Sequence, residues 1–156
     1  MGSLLCGAVW GAAAGAAGTT ALNAVGYLDM VIRGRPESTT PETTVERLLE
    51  KTHLRLPGAS EDRGNRVAGL APLTGIAAGV GIGALLGLLR AAGWRPGTAV
   101  GCATATVGAL LGTNGPMTVL GITDPRTWSA EDWAADVVPH LAYGALTVGL
   151  LNAFDR

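Results

Sequence analysis

Asp132, Asp136 and His140 follow one another at four-residue spacing, and Tyr143 stands about one turn further on. On a helix such residues share a face, so they would form a ladder of ionisable groups. If hydrocarbon begins near Ala134, a rise of about 1.5 Å per residue puts His140 about 9 Å inside it. An ionisable side chain at such a depth reads as functional by default. Asp136 could orient or charge-pair the imidazole for proton relay, or His140 could ligate a haem or a metal. Haem and metal sites draw on further ligands, and the one other histidine, His53, lies in a polar segment, so no cofactor or metal is expected. The quieter reading is a neutral histidine bonded to a neighbouring helix, or to Asn114, near a wet interface.

Thr113-Asn114-Gly115-Pro116 places a turn-forming sequence inside an otherwise apolar run, so the helix there is expected to break or end. Transporters set substrate or ion sites at discontinuous helices, where protein or water satisfies the freed backbone. The simpler expectation, preferred here, is that the helix ends near Asn114 and that Met117 to Ile122 form an interfacial turn, with the bilayer thinning to fit.

Glycines recur every four residues in two runs, Gly7, Gly11 and Gly15, then Gly75, Gly79, Gly83 and Gly87. A stripe of this kind opens a groove that lets a second helix approach closely, and dispersion then holds the pair together in lipid. The stripes are expected to pack helices, within one chain or between copies. Asn23 is a further polar group that could cross-link helices.

The elements that must carry these residues follow from composition. Of 156 residues 48% are hydrophobic and 15% charged, too apolar for an ordinary soluble domain. A span needs roughly 20 apolar residues, and four stretches come near that length: Leu4 to Val31, Val67 to Leu89, Thr98 to Leu120 and Ala134 to Phe154, none with Lys or Arg. The expected fold is therefore all-α, a single integral membrane four-helix bundle over residues 1–156. A soluble domain would have to bury all four helices behind short charged segments that could not coat them. No basic residue precedes the first run, and the run outlasts a signal peptide, so it is expected to stay as a span. Cys6 and Cys102 lie in separate runs without metal-ligand spacing and read as small membrane-buried residues. A net charge of -1 offers no basic face to a nucleic acid.

The polar connection, residues 32–66, holds seven of the eleven basic residues. Thr40-Pro41-Glu42 reads as an N-cap with a first-turn proline and acid, and Leu56-Pro57-Gly58 as a stop, which predicts a short helix between them. Val45, Leu48, Leu49 and Thr52 on one face make it weakly amphipathic, suited to the membrane surface. Ser60 with Glu61 and Asp62 suggests that the second span starts as helix before the bilayer, with Pro72 bending it. Asp29 and Arg33 have ion-pair spacing at the end of the first span. Ser129 and Asp132 have capping-box-like spacing, and Trp94, Trp128 and Trp133 suit an interfacial belt. Eight basic residues on the first and third connections, against three on the second connection and the C-terminus, put residues 32–66 on the cytoplasmic side of the cell membrane and both termini outside.

Arg33-Gly-Arg-Pro-Glu-Ser-Thr-Thr-Pro-Glu and the stretch from Asp132 to Gly144, with its Asp-Trp and Pro-His-Leu-Ala-Tyr-Gly, resemble those of small integral membrane proteins of high-GC actinobacteria. The resemblance implies the membrane class and brings no activity, cofactor or catalytic residue to carry over. The expected function is that of a non-enzymatic multi-pass protein acting through helix packing, as an accessory or assembly subunit or as a homo-oligomer. Its partners would be the lipid bilayer and a second copy or another membrane protein. The alternative is a small transporter or channel with a polar site near Asn114 and His140. A membrane-surface enzyme ranks third, because residues 33–66 offer no nucleophile, base and orienter set.

Overall fold

The computed structural model describes residues 3–154, which are all-helical with no strand among them. Five α-helices follow in order: α1 Leu4–Arg33, α2 Thr40–Thr52, α3 Ser60–Ala91, α4 Thr98–Val119 and α5 Ala130–Phe154. Three of them, α1, α3 and α5, are long and apolar enough to cross a membrane. The fourth expected span, α4, has 22 residues, but its threonines, glycines and Asn114 leave it less apolar.

Local signals explain most boundaries. At the start of α1 the Ser3 hydroxyl accepts the Cys6 N–H at 3.1 Å, and Gly34 closes the helix at φ 62°, where a Cβ would be costly. The expected helix in the polar connection forms one residue earlier than its cap signal, with Thr39 at the N-cap. It stops at His53, which takes the left-handed φ of 55°, before Leu56-Pro57-Gly58 is reached. Ser60, expected as the cap of α3, is instead its first helical residue, with Ala59 at the N-cap and no side-chain cap bond, and the helix runs through Pro72. Ser129 and Asp132 make a reciprocal cap on α5: the Asp132 carboxylate accepts the Ser129 N–H at 2.9 Å, and the Ser129 hydroxyl accepts the Asp132 N–H at 3.2 Å.

Helix α2 packs its apolar face against α3. Its Val45 is buried with Val67 and Ala71 of α3, and Leu49, Leu56 and Leu70 pack around them. Leu48, assigned to the same face, is 40% exposed.

Contacts fix the directions of the other four helices. Gly7 meets Gly87 while Gly15 meets Gly79, so α1 and α3 run antiparallel. Tyr143 reaches Gly79 and Asn152 reaches Arg90, so α3 and α5 run parallel. Asn114 meets Asp136 and Thr98 meets Asn152, so α4 lies antiparallel to α5. The connections 34–59 and 120–129 thus share one end of the bundle.

The connection between α4 and α5 carries a small electrostatic clasp. The Arg126 guanidinium donates to both Asp124 carboxylate oxygens at 2.9 Å, and its backbone N–H adds a third bond. The Arg126 side chain first, and then its N–H, hold the Asp124 carboxyl below its ordinary value. A depressed folded pKa contributes stability above the unfolded value and loses it as pH falls through the folded one. Acidification below the usual carboxylate range should therefore loosen the 3-10 turn Pro125–Thr127. Amide chemical shifts of Arg126 and Thr127 followed through an acid titration check this, and shifts that track no carboxyl titration would contradict it.

Candidate functional site

The closest helix approach is between α1 and α3. A Cβ built on Gly7 would lie 2.6 Å from Gly87 O, one on Gly11 2.9 Å from Gly87 Cα, and one on Gly15 2.9 Å from Gly83 Cα. Gly79, Gly83 and Gly87 return the approach: Gly83 would strike Gly15 Cα at 2.5 Å, and Gly79 meets the Thr19 hydroxyl. Such distances are accessible only to residues without a side chain. Gly75 departs from the expected stripe, with nothing within 4 Å of its Cβ position among the described residues. Helix α3 turns that register outward before the seam begins.

The ladder expected on α5 divides into three parts. Asp132 is consumed in the cap with Ser129. Asp136 and His140 turn toward α4, where Asn114 Nδ2 donates to Asp136 Oδ2 at 2.7 Å and Thr113 Oγ1 lies 3.3 Å from His140 Nε2. His140 Nδ1 is 2.6 Å from the Asp136 carbonyl oxygen and 3.6 Å from its carboxylate. Tyr143 belongs elsewhere: its ring is fully buried, and its hydroxyl donates to Gly79 O of α3 at 2.7 Å. The reason is angular, since three residues beyond His140 bring the side chain round toward α1 and α3.

Helix α4 neither breaks nor ends at Asn114, which corrects the sequence expectation. It runs through Pro116 to Val119, with Gly121 closing the turn at φ 69°. Proline costs the helix one bond, the one that would reach back to Gly112 O. Around it Thr118 Oγ1 donates to Asn114 O at 2.8 Å and Leu120 N to Pro116 O at 2.9 Å. The Asn114 side chain spends its hydrogen bond on Asp136 instead of on a turn. Asn114→Ala should leave Asp136 Oδ2 without this donor and cost about 1.5–3 kcal/mol, the range for bonds to charged groups. Thermal unfolding in detergent reads this, and an unchanged midpoint would remove Asn114 from the cluster.

Some expected partners lie outside the interior. Asn23 and Cys6 are exposed, and Cys102 is half-buried. Asp29 does pair with Arg33, at 2.8 Å, and also receives Arg35, while Arg33 reaches Glu131 of α5 at 3.8 Å. Asp29, Arg33 and Glu131 border a cleft of about 350 Å³ between α1 and α5.

Sequence reasoning missed Arg90, which is 7% exposed and donates to Asn152 Oδ1. Asn152 in turn donates to Thr98 Oγ1 at 3.2 Å, tying the ends of α3 and α5 to the start of α4. Arg90 and Arg95 border a second cleft of about 240 Å³ beside Trp10 and Phe154, and His140 lines neither cleft. An arginine directly after an apolar run reads the same in sequence whether it faces water or a neighbouring helix.

No protein-family model, curated protein or solved structure matches the chain. The functional reading therefore rests on geometry. Among the described residues no group of three or more His, Cys, Asp or Glu side chains is placed to hold a metal.

The distribution of side chains is the broadest feature of the site's surroundings. The buried positions carry Gly11, Gly15, Gly18, Thr19, Thr106, His140, Tyr143 and Thr147 together with the apolar Ala14, Leu86, Ala105, Ala109, Val148 and Leu151. Large apolar side chains point outward on every long helix: Val9 and Val31 of α1, Leu73 and Leu85 of α3, Val107 and Leu111 of α4, Leu141 and Leu146 of α5.

Proposed function

We propose that the chain is a multi-pass integral membrane protein, a bundle of four spans that works through helix packing and not through catalysis. The observation that carries this reading is the outward display of Leu and Val on every long helix, around an interior of mostly small and polar residues with only Leu86, Val148 and Leu151 as large aliphatic side chains in its main core. In water that arrangement would expose far more apolar surface than a monomer tolerates. In lipid it costs nothing, because the tails are as apolar as the side chains. The reading includes α4, whose outer face carries Val100, Val107 and Leu111 although its average is less apolar. Residues 32–66 would face the cytoplasm and the start of α1 and end of α5 the outside, on the count of basic residues in the connections.

Gly7, Gly11 and Gly15 of α1 and Gly79, Gly83 and Gly87 of α3 are spent inside the chain, so association with a second copy or another membrane protein would use the apolar outer faces. This supports the role of an accessory or assembly subunit. Native mass spectrometry of the gently extracted protein tests it: a defined homo-oligomer or a retained protein partner is the expected result. A monomer that retains a small ligand would overturn it.

A second reading, a small transporter or channel, is favoured by the inward turn of Asn114, Asp136 and His140 between α4 and α5. It requires ion flux in liposomes that His140→Ala abolishes, and flux indifferent to that change would end it.

A further inference from the structure

We infer that the cleft between α1 and α5 binds a membrane phospholipid with a primary-amine headgroup, of the phosphatidylethanolamine class, its phosphate held by Arg33 and its ammonium by Glu131. The inference rests on the membrane reading of the bundle and is independent of any assembly role.

The shape of the cleft follows from helix direction. Helix α1 runs antiparallel to α3 and α5 runs parallel to it, so α1 and α5 are antiparallel and the end of one meets the start of the other. Asp29, Arg33 and Glu131 therefore stand together at one mouth of the 350 Å³ cleft, while Val25 of α1 and Val138 and Pro139 of α5 wall its far part. At a rise of about 1.5 Å per residue, Val25 lies about 12 Å below Arg33 and Val138 about 10 Å below Glu131. The charged mouth closes the apolar run of α1, at the level of the headgroups, and the apolar wall descends from there into the hydrocarbon. A ligand that fits carries hydrocarbon beneath its charges, which a free amine or inorganic phosphate lacks.

The mouth also selects the headgroup. The Asp29 carboxylate is already taken by Arg33 and Arg35. Arg33 Nη1 and Glu131 Oε2 remain, opposite charges 3.8 Å apart, which is beyond hydrogen-bond length. The Glu131 side chain is 87% exposed, and an ion pair in water is worth little, so a ligand bearing both signs can replace it. A phosphate suits the guanidinium, and an ammonium with three N–H groups suits the carboxylate. Pro139 supplies a further acceptor on the same wall, one turn deeper than Glu131. It has no N–H to give Ala135 O four residues back, and both residues line the cleft. A choline headgroup has no N–H to donate to these acceptors, and a glycerol headgroup has no positive charge to set against Glu131.

The test uses the full chain in nanodiscs of equal parts phosphatidylethanolamine, phosphatidylcholine and phosphatidylglycerol with identical acyl chains, and native mass spectrometry of the lipids retained after gentle release. Phosphatidylethanolamine should be retained at least about tenfold over each of the others, the effect of one hydrogen bond to a charged group. Glu131→Gln, at an exposed side chain that packs against nothing, should lower it to the level of phosphatidylcholine. Val138→Trp should fill the groove and remove retained lipid of every kind. Equal retention of the three lipids overturns the inference, as does a preference for phosphatidylglycerol, a preference that survives either substitution, or paired copies of the chain that retain no lipid. Flotation with liposomes separates the two levels of the argument. Protein that does not float refutes the membrane reading and this site with it, whereas protein that floats but shows no preference refutes the site alone.

Discussion

Gly83→Leu is expected to leave no folded bundle, whereas Gly75→Ala, at a glycine one expects from sequence to be its equivalent, should be neutral or slightly stabilising. At Gly83 a first carbon already falls 2.5 Å from Gly15 Cα and 2.7 Å from Gly15 N. The atoms it meets are backbone, so no rotamer change relieves the clash. One extra methylene in a packed core costs about 1–3 kcal/mol, and leucine adds three more carbons to the first. The total reaches the whole folding margin of about 5–15 kcal/mol. At Gly75 the same position is open, and alanine is about 1 kcal/mol better than glycine within a helix. Size-exclusion profiles and thermal unfolding of the two purified variants decide the matter. A monodisperse Gly83→Leu protein with an unchanged midpoint would show that α1 and α3 do not meet along this seam.

Tyr143 carries the second large effect, and the two halves of its side chain separate cleanly. Tyr143→Phe removes only the hydroxyl that donates to Gly79 O and should cost about 0.5–1.5 kcal/mol. Tyr143→Ala removes a ring with no exposed surface, against which Gly18 of α1 and Gly79 of α3 both pack. The cavity among three helices should cost about 3–5 kcal/mol. Equilibrium unfolding in mixed micelles measures both. If Tyr143→Phe proved as damaging as Tyr143→Ala, the hydroxyl would have a role beyond this one bond, and Tyr143 would return to the polar site that its sequence position suggested.

The two effects have a common origin in how the interior is filled. Helices that meet through glycine bring their backbones together and leave little room for side chains, so the few large groups inside must be placed where the helices diverge. Tyr143 fills the space where α5 joins α1 and α3, next to Thr147, whose hydroxyl reaches Ala14 O at 3.4 Å. Each polar atom there ends on a neighbouring helix, which suits an interior with no water to receive it. Thr106 is the departure. It is 6% exposed, and its hydroxyl, set against Gly144, has no hydrogen-bond partner among the described residues.

Residue pattern alone located all five helices, because apolar runs, caps and glycine stops are local and act through the backbone of a few residues. It also located the Asp29 and Arg33 pair and the Ser129 and Asp132 cap, each closed within a single turn. It misjudged α4, because Asn-Gly-Pro is a turn in isolation and becomes helix when Asn114 is given Asp136 to bond. It set Gly75 with Gly79, because four-residue spacing cannot tell where along a helix the neighbour departs. It gave no sign that Arg90 is buried against Asn152, and it put Tyr143 beside His140 although that ring faces a different pair of helices. What composition and spacing determined by themselves is the set of helices and their apolar character. Which glycines touch, which way each polar side chain turns, and whether a turn sequence stays helical were decided by tertiary packing, since each depends on a partner dozens of residues away.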